Sequence, residues 1–301
     1  MPELPDIRLY LHALHPRVLG ATLEQLQILR PFFLRSVEVP PSVLAGHHVV
    51  SVERLGKRIV LGFEGGYFAV IHLMIAGRFR WAARGGKAPG KIGLAAFGLS
   101  TGTLLVTEAG TKRRASLHLV QGREHLAPFT RGGLDVESST LAEFAAALRR
   151  ENHTLKRALT DPRILDGIGN AYSDELLHRA GLSPLSLTSR LGDEEMERLW
   201  LAAKTTLAEW TARLIAETGE KFPEKVTAFR PGMAVHGRYN LPCPVCGTPV
   251  QRIRYAENET NYCPTCQTGG RLLADRALSR LLREDWPRSL EELDELRSPK
   301  P

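Results

Sequence analysis

Four cysteines are the residues of this sequence whose types and spacing most clearly indicate chemistry. They form two pairs, Cys243-Pro-Val-Cys246 and Cys263-Pro-Thr-Cys266, which are separated by sixteen residues. Two C-x-x-C pairs at this separation are typical of a tetrahedral zinc site on a β-hairpin. Two disulfides or two redox pairs are the alternatives, but a reducing compartment disfavours disulfides and a redox motif would not be doubled. The spacing therefore predicts one structural Zn²⁺ that has no open coordination position.

The N-terminus, Met1-Pro2-Glu3-Leu4-Pro5-Asp6, is a second candidate reaction centre. An unstructured leader is the ordinary interpretation of such a start. Removal of Met1 would instead expose Pro2 as a secondary amine, which is much less basic than a lysine and is partly neutral and nucleophilic near pH 7. Attack of this amine on a sugar aldehyde would give a cationic iminium, and the adjacent Glu3 could donate and accept protons. From the residues alone, both interpretations stay open.

The elements that must position these groups change in type along the chain. Residues 1–130 contain short runs rich in β-branched and aromatic residues, which glycine-rich breaks separate, and they predict an antiparallel β-sandwich or barrel. The runs are His48–Val52, Arg58–Phe63, Tyr67–Leu73, Lys91–Phe97 and Thr103–Val106. Helical periodicity follows at Leu141–Arg150, Ala171–Ala180 and Glu194–Glu217, and glycines at 167 and 169 mark a turn before the second of these helices.

We therefore predict an α+β multidomain fold. Its expected parts are an N-terminal antiparallel β-sandwich over 1–130, a helical domain over 137–232, a four-cysteine zinc β-hairpin over 233–268 and a C-terminal extension over 269–301. The extension carries leucines at helical spacing, which predict a helix that docks on the body or stays solvated, with a partner-binding helix as the alternative.

Composition and charge narrow the class of protein. A chain of 301 residues with 43% hydrophobic and 24% charged residues is expected to fold. No apolar stretch approaches the roughly 20 residues that cross a bilayer, and the acidic N-terminus is unlike a signal peptide, so we expect a cytoplasmic protein without a membrane partner. We also expect it to be a monomer. The net charge of +7 suggests a polyanion only weakly. Between Arg84 and Arg123, however, seven basic residues face one acid, Glu108.

Five motifs in order give the chain its resemblance to a known family. They are the start Pro2-Glu3-Leu4-Pro5, the turn Gly56-Lys57-Arg58, His72-Leu73, the segment Gly167-Ile168-Gly169-Asn170-Ala171-Tyr172, and the four-cysteine hairpin. Over residues 2–266 the chain resembles the formamidopyrimidine-DNA glycosylase / endonuclease VIII family of base-excision repair enzymes. The resemblance implies a bifunctional DNA glycosylase and abasic-site lyase that acts on damaged or abasic-site DNA. The enzyme would excise oxidised or damaged bases through an N-terminal proline Schiff base, followed by β,δ-elimination, and would be associated with the nucleoid.

The resemblance also implies roles for particular residues. Pro2 would attack C1′ of the damaged nucleotide, Glu3 would transfer protons, and Lys57 would contact DNA and assist catalysis. Without the resemblance, Lys57 would be an ordinary solvated charge. The segment from Leu155 to Pro184 is similar to a helix–two-turn–helix element, in which a helix N-terminus points N–H groups at a phosphate. The implied DNA-binding residues are His72, Ile75, Arg113, Arg114, Lys156, Asn170 and Asn258.

Several positions depart from the family pattern. At the tip of the hairpin Asn258 replaces an arginine that clamps phosphates, and an amide brings no charge and no bidentate fork. Arg252 and Arg254 are near enough in sequence to compensate. Among the residues that fill the space left by an extruded base, Ile75 stays apolar, whereas Ala115 replaces a phenylalanine and would support base flipping poorly.

These departures leave the substrate and the activity open. The interval Gly219–Ala234 is short for a loop that covers an oxidised purine, which disfavours strong selectivity for 8-oxoguanine. The alternative function is a non-catalytic or abasic-site-only DNA-binding member of the same fold. A zinc-stabilised RNA or protein adaptor is a third and weaker hypothesis.

Overall fold

The chain begins with a helix, α1 (Leu4–Val18). Two four-stranded antiparallel sheets follow it and form the predicted β-sandwich. The computed structural model describes residues 1–255, 258–274 and 286–297. One sheet has the strand order β1-β6-β7-β5, and the other has the order β2-β3-β4-β8. The strands are β1 (Leu23–Ile28), β2 (Val49–Leu55), β3 (Arg58–Phe63), β4 (Tyr67–His72), β5 (Gly77–Ala82), β6 (Gly93–Leu99), β7 (Gly102–Glu108) and β8 (Ser116–Gln121).

The centre of each sheet is buried. All residues of β7 are buried, including the polar Thr103, Thr107 and Glu108, and β3 is buried from its second residue onward. The register of β3 against β4 pairs Arg58 with His72. This pairing brings the turn that contains Lys57 to the strand end at which His72 lies.

Helices and short loops make up most of the next part of the chain. Its helices are α2 (Leu141–Arg149), α3 (Leu155–Thr160), α4 (Asn170–Ala180) and α5 (Asp193–Thr218). Helix α2 begins at a capping box, since Thr140 accepts from the N–H of Glu143 and the Glu143 carboxylate accepts from the N–H of Thr140. Helix α4 ends at Gly181, which has a φ of 65°, a conformation that glycine adopts without penalty. A short parallel pair, β9 (Leu134–Asp135) and β10 (Leu165–Asp166), accompanies these helices.

A β-hairpin and two short helices complete the described chain. The hairpin consists of β11 (Gln251–Tyr255) and β12 (Asn258–Tyr262), and helices α6 (Pro264–Thr268) and α7 (Leu290–Arg297) follow it. In the predicted leucine stripe of the extension, Leu272 and Leu273 are buried, and the Leu273 N–H donates to Tyr262 Oη at 2.8 Å. The other leucines of that stripe, at 278, 281 and 282, lie outside the described residues.

The chain divides into two compact units. The first contains residues 1–131 and 208–228, and the second contains residues 132–207 and 229–301. The domain boundaries predicted from sequence stay predictions. Within the described ranges, every helix is either too short or too polar to cross a membrane.

Candidate active site and nucleic-acid interface

The start of the chain is an ordered, buried element. Glu3 is the N-cap of α1, and its N–H donates to Asp6 Oδ2 at 2.9 Å, while its own carboxylate accepts from the backbone of Asp6. Pro2 is buried, and Glu3 and Asp6 are 3% and 1% exposed. These contacts contradict the interpretation of residues 1–6 as an unstructured leader. They also give Asp6 a positioning role that its sequence context did not reveal.

The environment of the chain start makes an amine there less basic. Burial lowers the pKa of the Met1 ammonium below its ordinary value. Glu3 and Asp6 act in the opposite direction, whereas the nearby cations Arg78 and Lys57 lower this pKa further. Removal of solvent and repulsion by nearby positive charges both favour the neutral amine. The first unit therefore brings together Glu3, Lys57 and an amino terminus whose surroundings favour the neutral form of an amine.

His72 lies close to these groups and is neutral. Its Nδ1 accepts the N–H of Met74 at 3.0 Å, so the ring proton is on Nε2. Burial, followed by the charges of Arg58 and Lys57, lowers the pKa of His72 to about 4. At pH 7 the ring therefore has one acceptor turned to the backbone and one N–H donor for another partner.

Ile75 is presented on a tightly fixed turn after His72. Its side chain is 60% exposed, and the preceding Met74 has a φ of 53°, which is unusual for a residue other than glycine. Arg78 Nη1 donates to the carbonyl oxygen of Ile75 at 3.0 Å, and the Gly77 N–H donates to that of Leu73 at 2.9 Å. A Cβ at Gly77 would lie 2.2 Å from Leu73 O, so this turn requires glycine. The turn thus holds an apolar side chain outward.

A buried carboxylate organises the loop that carries Arg113 and Arg114. Glu108 is 1% exposed, and its Oε1 accepts the N–H of Arg114 at 3.0 Å and that of Ala115 at 3.2 Å. The two arginines are exposed, whereas Ala115 is fully buried. The position at which Ala115 replaces the phenylalanine of the family pattern therefore lies in the protein interior. Sequence reasoning counted Glu108 only as the acid among basic residues and missed its role.

Lys156 and Asn170 are brought together in the second unit. Lys156 Nζ donates to Asn170 O at 2.7 Å, to Ser173 Oγ at 2.8 Å and to Asp174 Oδ1 at 2.5 Å. A lysine ammonium has three N–H donors, so all of them are engaged within the protein. A phosphate contact by Lys156 stays a prediction, and it would require the exchange of one of these hydrogen bonds.

The hairpin tip carries Asn258 as predicted from its spacing to Cys263. Asn258 is exposed at the start of β12, opposite Tyr255. The neighbouring arginines are engaged by Glu259, whose Oε2 lies 3.2 Å from Arg252 Nη1 and 3.4 Å from Arg254 Nε. If Arg252 or Arg254 is to replace the missing tip arginine, a DNA phosphate must therefore compete with the Glu259 carboxylate for its guanidinium group.

The four cysteines fit a tetrahedral metal site. Their sulfurs all lie within 4.8 Å of one another, with Cys246 and Cys263 at 3.4 Å and Cys243 and Cys266 at 3.9 Å. A tetrahedron with Zn–S bonds of about 2.3 Å has S···S edges of about 3.8 Å. All four are free thiols, which argues against the two-disulfide alternative. Four thiolates around one ion leave no coordination position for a substrate, so the zinc is structural.

Comparisons with known proteins agree with this arrangement. Residues 1–119 match the formamidopyrimidine-DNA glycosylase N-terminal domain, and residues 133–216 match the corresponding H2TH domain. Residues 240–269 match the zinc finger found in FPG and IleRS. The first match contains the residues described above for the first unit, and the second contains helices α3 and α4. The third contains Asn258 and the four cysteines.

Individual relatives cover most of the chain. Formamidopyrimidine-DNA glycosylase of Thermus thermophilus is 33% identical over 282 residues, which are 90% of this chain and all of that protein. An uncharacterized formamidopyrimidine-DNA glycosylase-like protein of Mycobacterium tuberculosis is 40% identical over 155 residues, half of this chain and 91% of that protein. The crystal structure of the MutM (Fpg) protein from Thermus thermophilus superposes with a TM-score of 0.75 at 33% identity, covering 88% of this chain and 98% of that chain.

A second solved structure shows the same fold at lower identity. The complex between Lactococcus lactis Fpg and abasic-site DNA has a TM-score of 0.77 at 20% identity, covering 88% of this chain and 99% of that chain.

Proposed function

The chain belongs to the formamidopyrimidine-DNA glycosylase family of base-excision repair enzymes, and we propose that Pro2, Glu3 and Lys57 perform its glycosylase and abasic-site lyase chemistry. The observation that carries this assignment is the fixed, buried start of α1 beside Lys57. An amine of lowered basicity, a carboxylate and an ammonium are the three groups that Schiff-base chemistry on a sugar needs.

The steps follow from the chemistry of a secondary amine. After removal of Met1, the Pro2 nitrogen forms a bond to C1′ as the damaged base leaves with the electron pair of its glycosidic bond and gains a proton. Loss of the proton from the proline nitrogen and cleavage of the C1′–O4′ bond, with O4′ gaining a proton, then give the iminium. The iminium withdraws electrons, so that loss of a C2′ proton to a base breaks the bond between C3′ and its phosphate oxygen. A second elimination breaks the corresponding bond at C5′, and water then releases Pro2. Glu3 is the proton carrier of this sequence, and Lys57 favours the anionic leaving groups.

DNA contacts are assigned to both units. His72, Ile75, Arg113 and Arg114 of the first unit would contact DNA, with Ile75 entering the space left by the extruded base. In the second unit we assign phosphate contacts to Lys156, Asn170 and Asn258. Supporting this assignment, helix α4 begins at Asn170 after a glycine N-cap, which supplies no side-chain oxygen to the first-turn N–H groups. We place the enzyme in the cytoplasm, at chromosomal DNA.

One experiment tests catalysis and substrate class together. The mature protein, with its N-terminus determined by mass spectrometry, is incubated with borohydride and duplex or single-stranded DNA that contains an abasic site, an oxidised purine or an oxidised pyrimidine. We expect a covalent complex with abasic-site DNA and with at least one oxidised base. Pro2→Gly should reduce trapping at least tenfold, whereas Pro31→Gly, at an exposed position, should not.

The same panel separates the alternatives. DNA binding without a trapped complex would overturn the catalytic assignment and favour a non-catalytic binder. Trapping that is confined to abasic sites would show a lyase that has lost base excision, as the buried Ala115 favours. A retained Met1 in an active enzyme would exclude Pro2 as the nucleophile, because its nitrogen would then be part of an amide.

A further inference from the structure

One face of helix α4 makes polar contacts with three parts of the zinc-binding region. Asn170, Asp174 and His178 are spaced four residues apart, and this spacing places them on the same side of a helix. Asn170 Nδ2 donates to the Glu259 carbonyl oxygen at 2.9 Å, and Asp174 Oδ2 accepts from His236 Nδ1 at 2.8 Å. His178 Nε2 lies 3.2 Å from Cys243 Sγ. The helix therefore follows this region from the hairpin strand to the first cysteine pair.

The carboxylate beside this face fixes the chain that leads into the zinc module. Glu175 accepts the backbone N–H groups of Ala234, Val235 and His236 at 2.7 to 2.9 Å. Further along, Gln267 Nε2 donates to the Leu182 carbonyl oxygen just after α4. These contacts leave the module little freedom to move independently of α4.

The contact between His178 and Cys243 differs from the others because its acceptor is a zinc ligand. A cysteine that binds zinc is a thiolate, which has no proton to donate, so the imidazole N–H must be the donor. His178 is 7% exposed and Cys243 is 3% exposed, and water therefore competes little with this hydrogen bond. Donors to ligand atoms orient the ligand and tune its bond to the metal.

We propose that His178 is an outer-sphere donor to the Cys243 thiolate, and that through this hydrogen bond the zinc ion holds α4 in position. The N–H group withdraws charge from a site that carries four thiolates and one divalent cation. It also fixes the Cys243 side chain for binding. Because Asn170 lies two helical turns before His178, zinc binding stabilises the end of α4 that we assign to a DNA phosphate.

The zinc part of this proposal is independent of the proposed catalytic function, whereas the DNA part rests on the phosphate contact assigned to Asn170. Neither part depends on Pro2. Failure of the Schiff-base chemistry would therefore leave zinc binding and DNA binding as described here, so the two failures are distinguishable.

The test compares three variants in the full-length zinc protein. His178→Phe keeps a ring of similar size without an N–H donor, and His178→Gln supplies an amide N–H at the same distance along the side chain. Thr265→Val is the control, since it removes a hydrogen bond to Thr248 within the module. Zinc release to a chelator and the sulfur-to-metal charge-transfer bands of the Co²⁺-substituted protein report on the thiolate, and binding to an uncleavable abasic-analogue duplex reports on α4.

We expect His178→Phe to lose zinc at least tenfold more readily and to shift the charge-transfer bands, with weaker binding of the duplex. His178→Gln and Thr265→Val should remain close to the wild type in all three measurements. If His178→Phe does not fold, His178→Asn, whose amide is too short to reach the sulfur, should show the same losses. Unchanged zinc release and unchanged Co²⁺ bands in the folded donor-free variant would overturn the proposal.

Discussion

At the scale of single residues, buried polar groups of the first unit serve mainly to place other residues. Asp6 fixes the backbone of Glu3, and His72 fixes that of Met74. Each accepts a backbone N–H, and a buried N–H left without an acceptor costs about 1–3 kcal/mol. Replacing such a residue therefore disturbs the backbone of a neighbour. Residue types alone did not reveal these roles because each role depends on a contact that only the folded chain makes.

His72 makes the stability of the protein depend on pH in a defined window. Its pKa is about 4 in the folded state and about 6.5 in an unfolded chain. Above pH 6.5 both states are neutral and the contribution is constant. As the pH falls from 6.5 toward 4, the unfolded state binds a proton that the folded state does not, and stability is lost.

The measurement is urea unfolding between pH 7.5 and pH 4. His72→Asn, whose side-chain oxygen can accept the Met74 N–H, should lose less stability across this window than the wild type. Identical pH profiles of the two proteins would show that His72 is not protonated differently in the folded and unfolded states.

Ile75 should matter only when a base must be extruded from a paired duplex. Ile75→Ala removes most of an exposed apolar side chain, and we expect base excision from duplex DNA to slow about tenfold. Reaction at an abasic site in single-stranded DNA should change little, because no stacked base is displaced there. Val37→Ala, at a side chain that is 95% exposed, is the matched control, and equal slowing on both DNA forms would argue against a wedge.

At the scale of elements, the sequence predicted the strands whose apolar run is continuous and the helices whose hydrophobic periodicity is clear. Strand β3 is Arg58–Phe63 as predicted, and α4 begins one residue before the predicted Ala171. Strands β1, β5 and β8 were missed. In two of them, residues 77–82 and 116–121 alternate apolar and polar side chains as half-buried strands do. Alternation in a stretch rich in arginine or histidine was therefore the signal that could have found them.

The contacts that hold the site were less predictable than its elements. His178 and Cys243 are 65 residues apart in sequence and meet only because α4 packs against the zinc module. Glu108 is close in sequence to Ala115, but its carboxylate reaches that N–H only because β7 ends where the loop returns. Spacing predicts metal ligands and helix faces, whereas such pairings depend on the tertiary structure.

The loop after β7 offers a test of this positioning. Glu108→Ala leaves the N–H groups of Arg114 and Ala115 without their acceptor, and we expect the free energy of unfolding to fall by about 2 kcal/mol together with a loss of DNA affinity. Glu108→Gln retains an acceptor oxygen and should be less affected. Glu38→Ala, at an exposed glutamate, controls for loss of one negative charge, and an unchanged Glu108→Ala protein would show that the loop holds its own conformation.

At the scale of the whole molecule, the charge distribution predicts how DNA binding responds to salt. The net charge of +7 comes entirely from the residues up to Cys266, since the residues after Cys266 carry seven basic and seven acidic side chains. Each phosphate that a cation contacts contributes about −0.9 to the slope of log K against log salt concentration. If DNA binds to the part of the chain before Cys266, removal of cations from that part should change this slope.

Arg113 and Arg114 are the exposed cations whose loss should be most informative. If both contact phosphates, changing both to alanine lowers the magnitude of the slope by about 2 and weakens binding to damaged and undamaged duplexes alike. Arg288→Ala, at an exposed residue of the extension, should leave the slope unchanged. A slope that falls with Arg288→Ala and stays constant in the double variant would place the electrostatic contact on the extension. Fluorescence anisotropy over a salt titration, with a duplex that carries an abasic analogue, makes the comparison at equilibrium.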